Sequence, residues 1–226
     1  MKFHFKLRPF EALGAGAGPV SWFTMSDGWY WFTAGGHDLL RHPGGEGVDY
    51  YVDTFWEDVL AFAPNVLRPV PADLVPFVAS REQDWADSES DEAWAAHLWH
   101  RGHNLFVGYL AQPPTIRGWR VRSEKGDEVT IAWQHDPGAT RLWADEPEGQ
   151  VTVAAETFLA AVRDFDARWR AAMRARAGEV AEPGREALLK EGAGREPALA
   201  RALAEPPSPD YADLDVVRAG AAELLS

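Results

Sequence analysis

Phe3, Phe5 and Leu7 alternate with His4, Lys6 and Arg8 over FHFKLR (3–8), the period of a strand with one buried face. WFTMSDGWYWF (22–32) places an Asp27-Gly28 pair between two aromatic runs, which predicts a two-residue hairpin turn. That register sets Ser26 against Trp29, Met25 against Tyr30, Thr24 against Trp31, Phe23 against Phe32 and Trp22 against Thr33. Cross-strand partners share a face. The expected core face is therefore Phe23, Met25, Tyr30 and Phe32. The other face is Trp22, Trp29 and Trp31 mixed with Thr24, Ser26 and Thr33. HDLLR (37–41) reads as a further extended piece.

The period changes over 48–63, where Val48, Tyr51, Val52, Phe55, Trp56, Val59, Leu60, Phe62 and Ala63 fill about half of a helical wheel. Tyr50, Asp53, Thr54 and Glu57 lie opposite, and Asp58 sits at the edge of the apolar arc. A helix over 49–63 is predicted. Residues 64–79 hold four prolines and predict short turns or a broken helix. EQDWADSESDE (82–92) has six acids and no base, the signature of a solvated loop. DEAWAAHLWHRG (91–102) predicts a short helix with Trp94, Ala95, Leu98 and Trp99 as its apolar side and His97 and His100 on the solvent side.

A second hairpin is legible in Trp119, Val121, Val129, Ile131 and Trp133, alternating with Arg120, Arg122, Thr130 and Gln134 around Lys125-Gly126-Asp127. Residues 150–153 add an edge strand. The strongest helix spans 154–177, with one narrow stripe of Phe158, Val162, Phe165, Trp169 and Met173. Pro183-Gly184 marks a boundary. A last helix is expected from Ser208-Pro209, a good N-cap followed by proline at the first helical position, with the stripe Leu214, Val217, Ala221, Leu224 and Leu225. Strands and helices come in runs without regular alternation, which indicates α+β: an antiparallel sheet built from hairpins and packed by amphipathic helices. Residues 1–182 form the expected α+β domain and 183–226 a helical C-terminal extension packed on it.

Composition narrows function mainly by exclusion. The 226 residues include no cysteine, which removes disulfides, thiolate metal sites and a cysteine nucleophile and suits a reducing cytoplasm. No signal peptide and no membrane span are expected, so a cytoplasmic protein is. The formal net charge is −13, with 15 acids and 6 Lys/Arg over residues 1–100 against 20 and 16 over residues 101–226. Such a surface repels phosphate backbones and favours a basic protein partner over nucleic acid.

Phosphate loops, dinucleotide fingerprints, nucleophile elbows and H-E-x-x-H are all missing from the sequence, so no catalytic residue, cofactor or metal ligand is assigned. His97, His100 and His103 resemble a ligand cluster only superficially, because no carboxylate at helical spacing completes a set. Two candidate sites remain. The first is a partner-binding segment of Glu82, Asp84, Trp85, Asp87, Glu89, Asp91 and Glu92, bracketed by Trp85 and Trp94; acids there would speed encounter with a basic partner, and tryptophan would anchor it. The second is a ligand platform of Trp22, Trp29 and Trp31 with Asp27 and Asp58 as carboxylates. It would serve a small-molecule or carbohydrate-acting enzyme if two carboxylates converged in the aromatic cleft.

The order of W-F-T-x-S-D-G-W-Y-W (22–31), Y-Y-V-D-x-F-W-E-D-V (50–59), F-x3-V-x2-F-x3-W-x3-M-x-R (158–174) and K-E-x3-R-x3-L-x2-A-L (190–203) resembles a bacterial family recorded as a domain of unknown function, over most of the chain. The resemblance implies no activity and no catalytic residue. Other small acidic bacterial proteins act as immunity proteins that neutralise a toxin. By that analogy the expected function is a soluble, non-catalytic protein-binding module, with the aromatic-cleft enzyme as the alternative.

Overall fold

The computed structural model describes residues 1–13, 20–45, 47–124, 126–135, 142–143, 146–204 and 213–226. Two antiparallel four-stranded sheets and eight helices among these residues form the expected α+β fold.

The first sheet is centred on β2 (Asp27–Ala34), which pairs on one side with β1 (Lys2–Leu7) and on the other with both β3 (His37–Leu39) and β4 (Val48–Tyr51). Asp27-Gly28 is thus not a hairpin turn but the start of a strand. The preceding residues form a one-turn helix, α1 (Trp22–Met25), held by a reciprocal cap in which the Ser21 and Thr24 side chains each accept from the other's backbone N–H. A capping box competes with the extended conformation locally, and β1 takes the place beside β2 that the hairpin arm would have filled. Gly28 is required there, since a Cβ would stand 2.3 Å from the Lys6 carbonyl oxygen.

β4 claims the first residues expected in the helix, so α2 runs Val52–Leu67, four residues further than predicted and through Pro64. Phe3, Tyr30, Phe32 and Phe55 from β1, β2 and α2 meet Phe165 of α5 (Ala155–Glu179). The α5 stripe Phe158, Val162, Phe165, Trp169 and Met173 is buried as its spacing predicts.

The second sheet runs in the order β5 (Asn104–Leu105), β6 (Thr115–Ser123), β7 (Gly126–Gln134), β8 (Glu148–Ala154). β6 and β7 are the predicted second hairpin, although Lys125 of its turn lies outside the described residues; β7 resumes at Gly126, opposite Ser123. β8 is the predicted edge strand, longer at both ends. One face, with Ile116, Val129 and Ile131, joins the main core. Gly118 lets β6 lie directly on α2, for a Cβ would meet Phe62 at 2.8 Å and Val66 at 2.9 Å.

The opposite face carries a second, separate apolar cluster. Trp119 packs there with Val70, Leu74 and Phe77, with Ala93, Ala96 and Trp99 of α4 (Asp91–Arg101), and with Val217, Ala221 and Leu224 of α8 (Leu214–Leu224). Phe77 belongs to α3 (Val75–Ala79). Where α4 and α8 cross, a Cβ on Gly220 would stand 2.0 Å from the Glu92 carbonyl oxygen, so the helices touch at backbone distance. The expected start of the last helix at Ser208-Pro209 lies outside the described residues; the described helix is capped by Asp213. α6 (Gly184–Arg195) and α7 (Ala198–Ala204) pack instead on α5 and α2, so the C-terminal helices cover two different sides.

Candidate functional site

The predicted ligand platform is not assembled. Trp22 is buried under α6, donating its indole N–H to the Leu188 carbonyl at 3.0 Å, while Glu191 accepts from its backbone N–H. Trp29 and Trp31 lie on the outer face of β2, half-buried beneath cations: the Arg8 guanidinium is 4.4 Å from the centroid of Trp29, and Trp31 stacks on His4 with Arg41 on it as well. Asp27 shares that outer face and accepts from Arg8, which also pairs with Asp49. Asp58 belongs to the opposite side. It accepts from the Tyr109 hydroxyl at 2.9 Å, and Tyr109 is within 2.9 Å of the Tyr30 hydroxyl. Burial raises the Asp58 carboxyl to about 7. Asp27 and Asp58 are therefore separated by the first sheet and do not converge on one cleft.

Asp53, expected on the solvent side of the helix, is buried beneath Arg195 of α6, whose Nη1 is 2.8 Å from its Oδ1. Desolvation raises this carboxyl to about 7 in spite of Arg195. The pair ties α6 to α2, and Arg195 also lies over the rings of Trp22 and Trp56.

Helix α4 is rotated from its predicted setting. Trp94, assigned to the apolar side, is 59% exposed, whereas Ala93, Ala96 and Trp99 are buried together with His100 and His103. Hydrophobicity alone favoured the large indole; the close crossing with α8 selects the small alanines. Of the histidines expected in solvent, His100 and His103 are interior, while His97 is half-buried. His103 donates from Nδ1 to the Trp99 carbonyl at 2.9 Å, and burial lowers it to about 4. His100 packs against Phe77 and Trp85, with Nε2 facing the Ser80 carbonyl. Among the described residues no group of three or more His, Asp or Glu is placed to hold a metal.

The acidic segment is ordered rather than a loose loop. Ala86 N–H donates to the Leu224 carbonyl at 2.8 Å, Ser88 and Ser90 donate to the Glu223 carboxylate, and Ser90 caps α4 by accepting from Ala93 N–H. Its members divide into two groups. Glu82 lies 3.5 Å from His100 Nδ1, an interaction that lowers its pKa, and Trp85 is half-buried, stacked on Phe77 with its indole N–H on Ser80 Oγ. Asp84, Asp87, Glu89, Asp91 and Glu92 are exposed and form no ion pair with a described residue. Asp91 and Glu92 also occupy the first turn of α4, where negative charge is favoured by the helix dipole. The exposed indole beside these carboxylates is that of Trp94, stacked on His97, and not that of Trp85.

Two features escaped sequence reasoning. Phe23 (42% exposed), Tyr51, Tyr50, Tyr109 and Phe106 (59% exposed) form an unbroken chain of ring contacts joining the two sheets; their spacing in the chain gives no signal. The other is Arg117 on β6, 7% exposed, whose Nε donates to Asn104 Oδ1 at 2.8 Å and whose Nη1 donates to the carbonyls of Val78 and Ser80. Burial lowers it to about 10. An arginine alternating with apolar residues in a strand was the available clue.

No helix among the described residues is long and apolar enough to cross a membrane. Comparison with curated proteins and with solved structures finds no significant match. A family model does match, over residues 2–220 and hence nearly the whole chain: the protein belongs to the family of unknown function DUF5984.

Proposed function

We propose that the protein is a non-catalytic, cytoplasmic protein-binding module that docks a basic protein partner through residues 84–94. The observation that carries this reading is the exposure of Trp94, 59%, at the end of a segment with five exposed carboxylates that lack ion-pair partners among the described residues. Unpaired like charges raise the local potential and speed encounter with a basic surface. An exposed indole supplies the apolar area that desolvates on contact and holds the complex. Because α8 already orders the segment, less conformational entropy is lost on docking than from a free loop. Within this reading a toxin is the partner class that would make the protein an immunity protein.

The test is affinity capture from the native cell with three baits: the parent chain, a variant with Asp84, Asp87, Glu89, Asp91 and Glu92 changed to serine, and Trp94→Ala. A partner retained by the parent, lost from both variants and eluted by moderate salt supports the reading. Equal recovery on all three baits, or indifference to salt, overturns it.

A further inference from the structure

Across β6, β7 and β8 the register aligns Arg117 with Ala132 and Gln150, and two residues away Thr115 with Gln134 and Glu148. Both rows lie on the face that Trp119 shares with the second apolar cluster. That cluster covers only the Trp119 end of the face. At the other end the rows line an open cleft of about 300 Å3, closed on its far side by Ala79 and Arg81 beyond the end of α3. Arg81 pairs with Glu148 at the rim, so these two charges offset each other.

Arg117 has no such partner. Its hydrogen bonds go to two carbonyls and one amide oxygen, all neutral, through Nε and Nη1. Nη2 takes part in none of these bonds, and Arg117 is one of the residues that line the cleft. The acid whose charge acts on it is Glu82, which lies 3.5 Å from His100 Nδ1 and makes no ion pair with Arg117. A buried cation without a carboxylate is unfavourable unless a counter-charge arrives. Neutral donors would serve equally well to bond the carbonyls at the end of α3.

We propose that this cleft binds a small organic monocarboxylate, with the carboxylate accepting from Arg117 Nη2. The binding site is independent of protein docking through residues 84–94. A single unbalanced positive charge in a protein of net charge −13 suits a monoanion better than a phosphate dianion. Gln134 and Gln150 supply neutral amides for the ligand body, and the backbone at Trp133 and Gly149 forms part of the wall.

The experiment titrates the full chain with benzoate, benzamide and inorganic phosphate, reading the Arg117 Nε–Hε and Gln150 side-chain amide signals by 1H–15N NMR. Benzoate is expected to give saturable shifts, benzamide none, and phosphate weaker binding than benzoate. Arg117→Gln should abolish the benzoate response. Gln150→Glu, a change at an exposed position of the edge strand, should weaken it by at least about tenfold through charge repulsion, and decides the matter if Arg117→Gln fails to fold. Equal responses to benzoate and benzamide, unchanged benzoate binding in Gln150→Glu, or no saturable shift at all would refute the site. Tighter binding of phosphate would overturn the carboxylate assignment.

Discussion

The outer faces of the two sheets differ in how their charges are balanced. On the first sheet Trp29 and Trp31 stand among Arg8, Asp27, Asp49, Asp38 and Arg41, and each of these charges has an opposite partner within the same face. The indoles are roofed by the cations. Beside the outer face of the second sheet, five exposed carboxylates lack ion-pair partners among the described residues, and Arg117 is buried with no described carboxylate on it. A dense run of aromatics thus marks a self-contained surface, while the sparser region with unbalanced charge is the one the proposed docking would use. Local neutrality, and not aromatic content, separates the two.

Buried groups beside the outer face of the second sheet and beneath the inner face of the first also titrate in opposite senses, and this gives the largest expected effect. His103 is held neutral by burial, its pKa lowered from 6.5 to about 4. The unfolded chain then binds more protons between those values, so the stabilisation is complete above pH 6.5 and is lost as pH falls toward 4, on the order of 3 kcal/mol in all. His100, lowered by the same cause, adds to the loss. Asp58 behaves inversely: its raised pKa favours folding most below the ordinary carboxylate range, and this contribution disappears as pH rises through about 7. Hydrogen exchange should therefore show α3 and α4 loosening first in acid. Asp58→Asn should flatten the slope of stability between pH 4 and 7. Uniform acid unfolding of both sheets would break the comparison.

Next in size is Gly220→Val. The new side chain would collide with the Glu92 backbone at the α4–α8 crossing, and overpacking of this kind costs roughly 2–3 kcal/mol. Loss of stability measured by urea denaturation should accompany faster exchange of the Ala86 amide, which donates to Leu224. A parent-like midpoint would mean that α8 does not hold the acidic segment.

Trp94→Ala sharpens the functional side of the contrast. Its effect on folding should stay within about 0.5 kcal/mol, as for an exposed position, while affinity for a captured partner falls by about 2 kcal/mol, the scale of an interface anchor. Trp29→Ala should leave that affinity unchanged, and equal losses from both would erase the distinction between the faces. The smallest expected effect belongs to Arg8→Ala. Partly exposed ion pairs contribute little to stability, so thermal unfolding should shift only slightly and partner capture not at all.

Periodicity by itself determined the α+β class, the β6–β7 hairpin, the edge strand β8 and the buried stripe of α5. In each, spacing and burial coincide because a single neighbouring layer covers the apolar positions. The acidic run over 82–92 was also legible, since a charge run is a property of composition, but the exposure of Trp94 was not. The Ser21–Thr24 cap was present in the sequence but was outweighed by Asp27-Gly28, a turn signal that β1 made redundant by pairing with β2. Tertiary structure alone decided the rest. The rotation of α4 depends on small residues meeting α8 across more than a hundred positions of chain, so Trp94 faces solvent and two histidines do not. The burial of Asp53 depends on Arg195, and the aromatic chain from Phe23 to Phe106 on the approach of two sheets. The Arg117 cleft exists because the second cluster covers one end of a sheet face and stops short of the other. Each of these is set by which surfaces meet at long range, and local pattern carries no record of that.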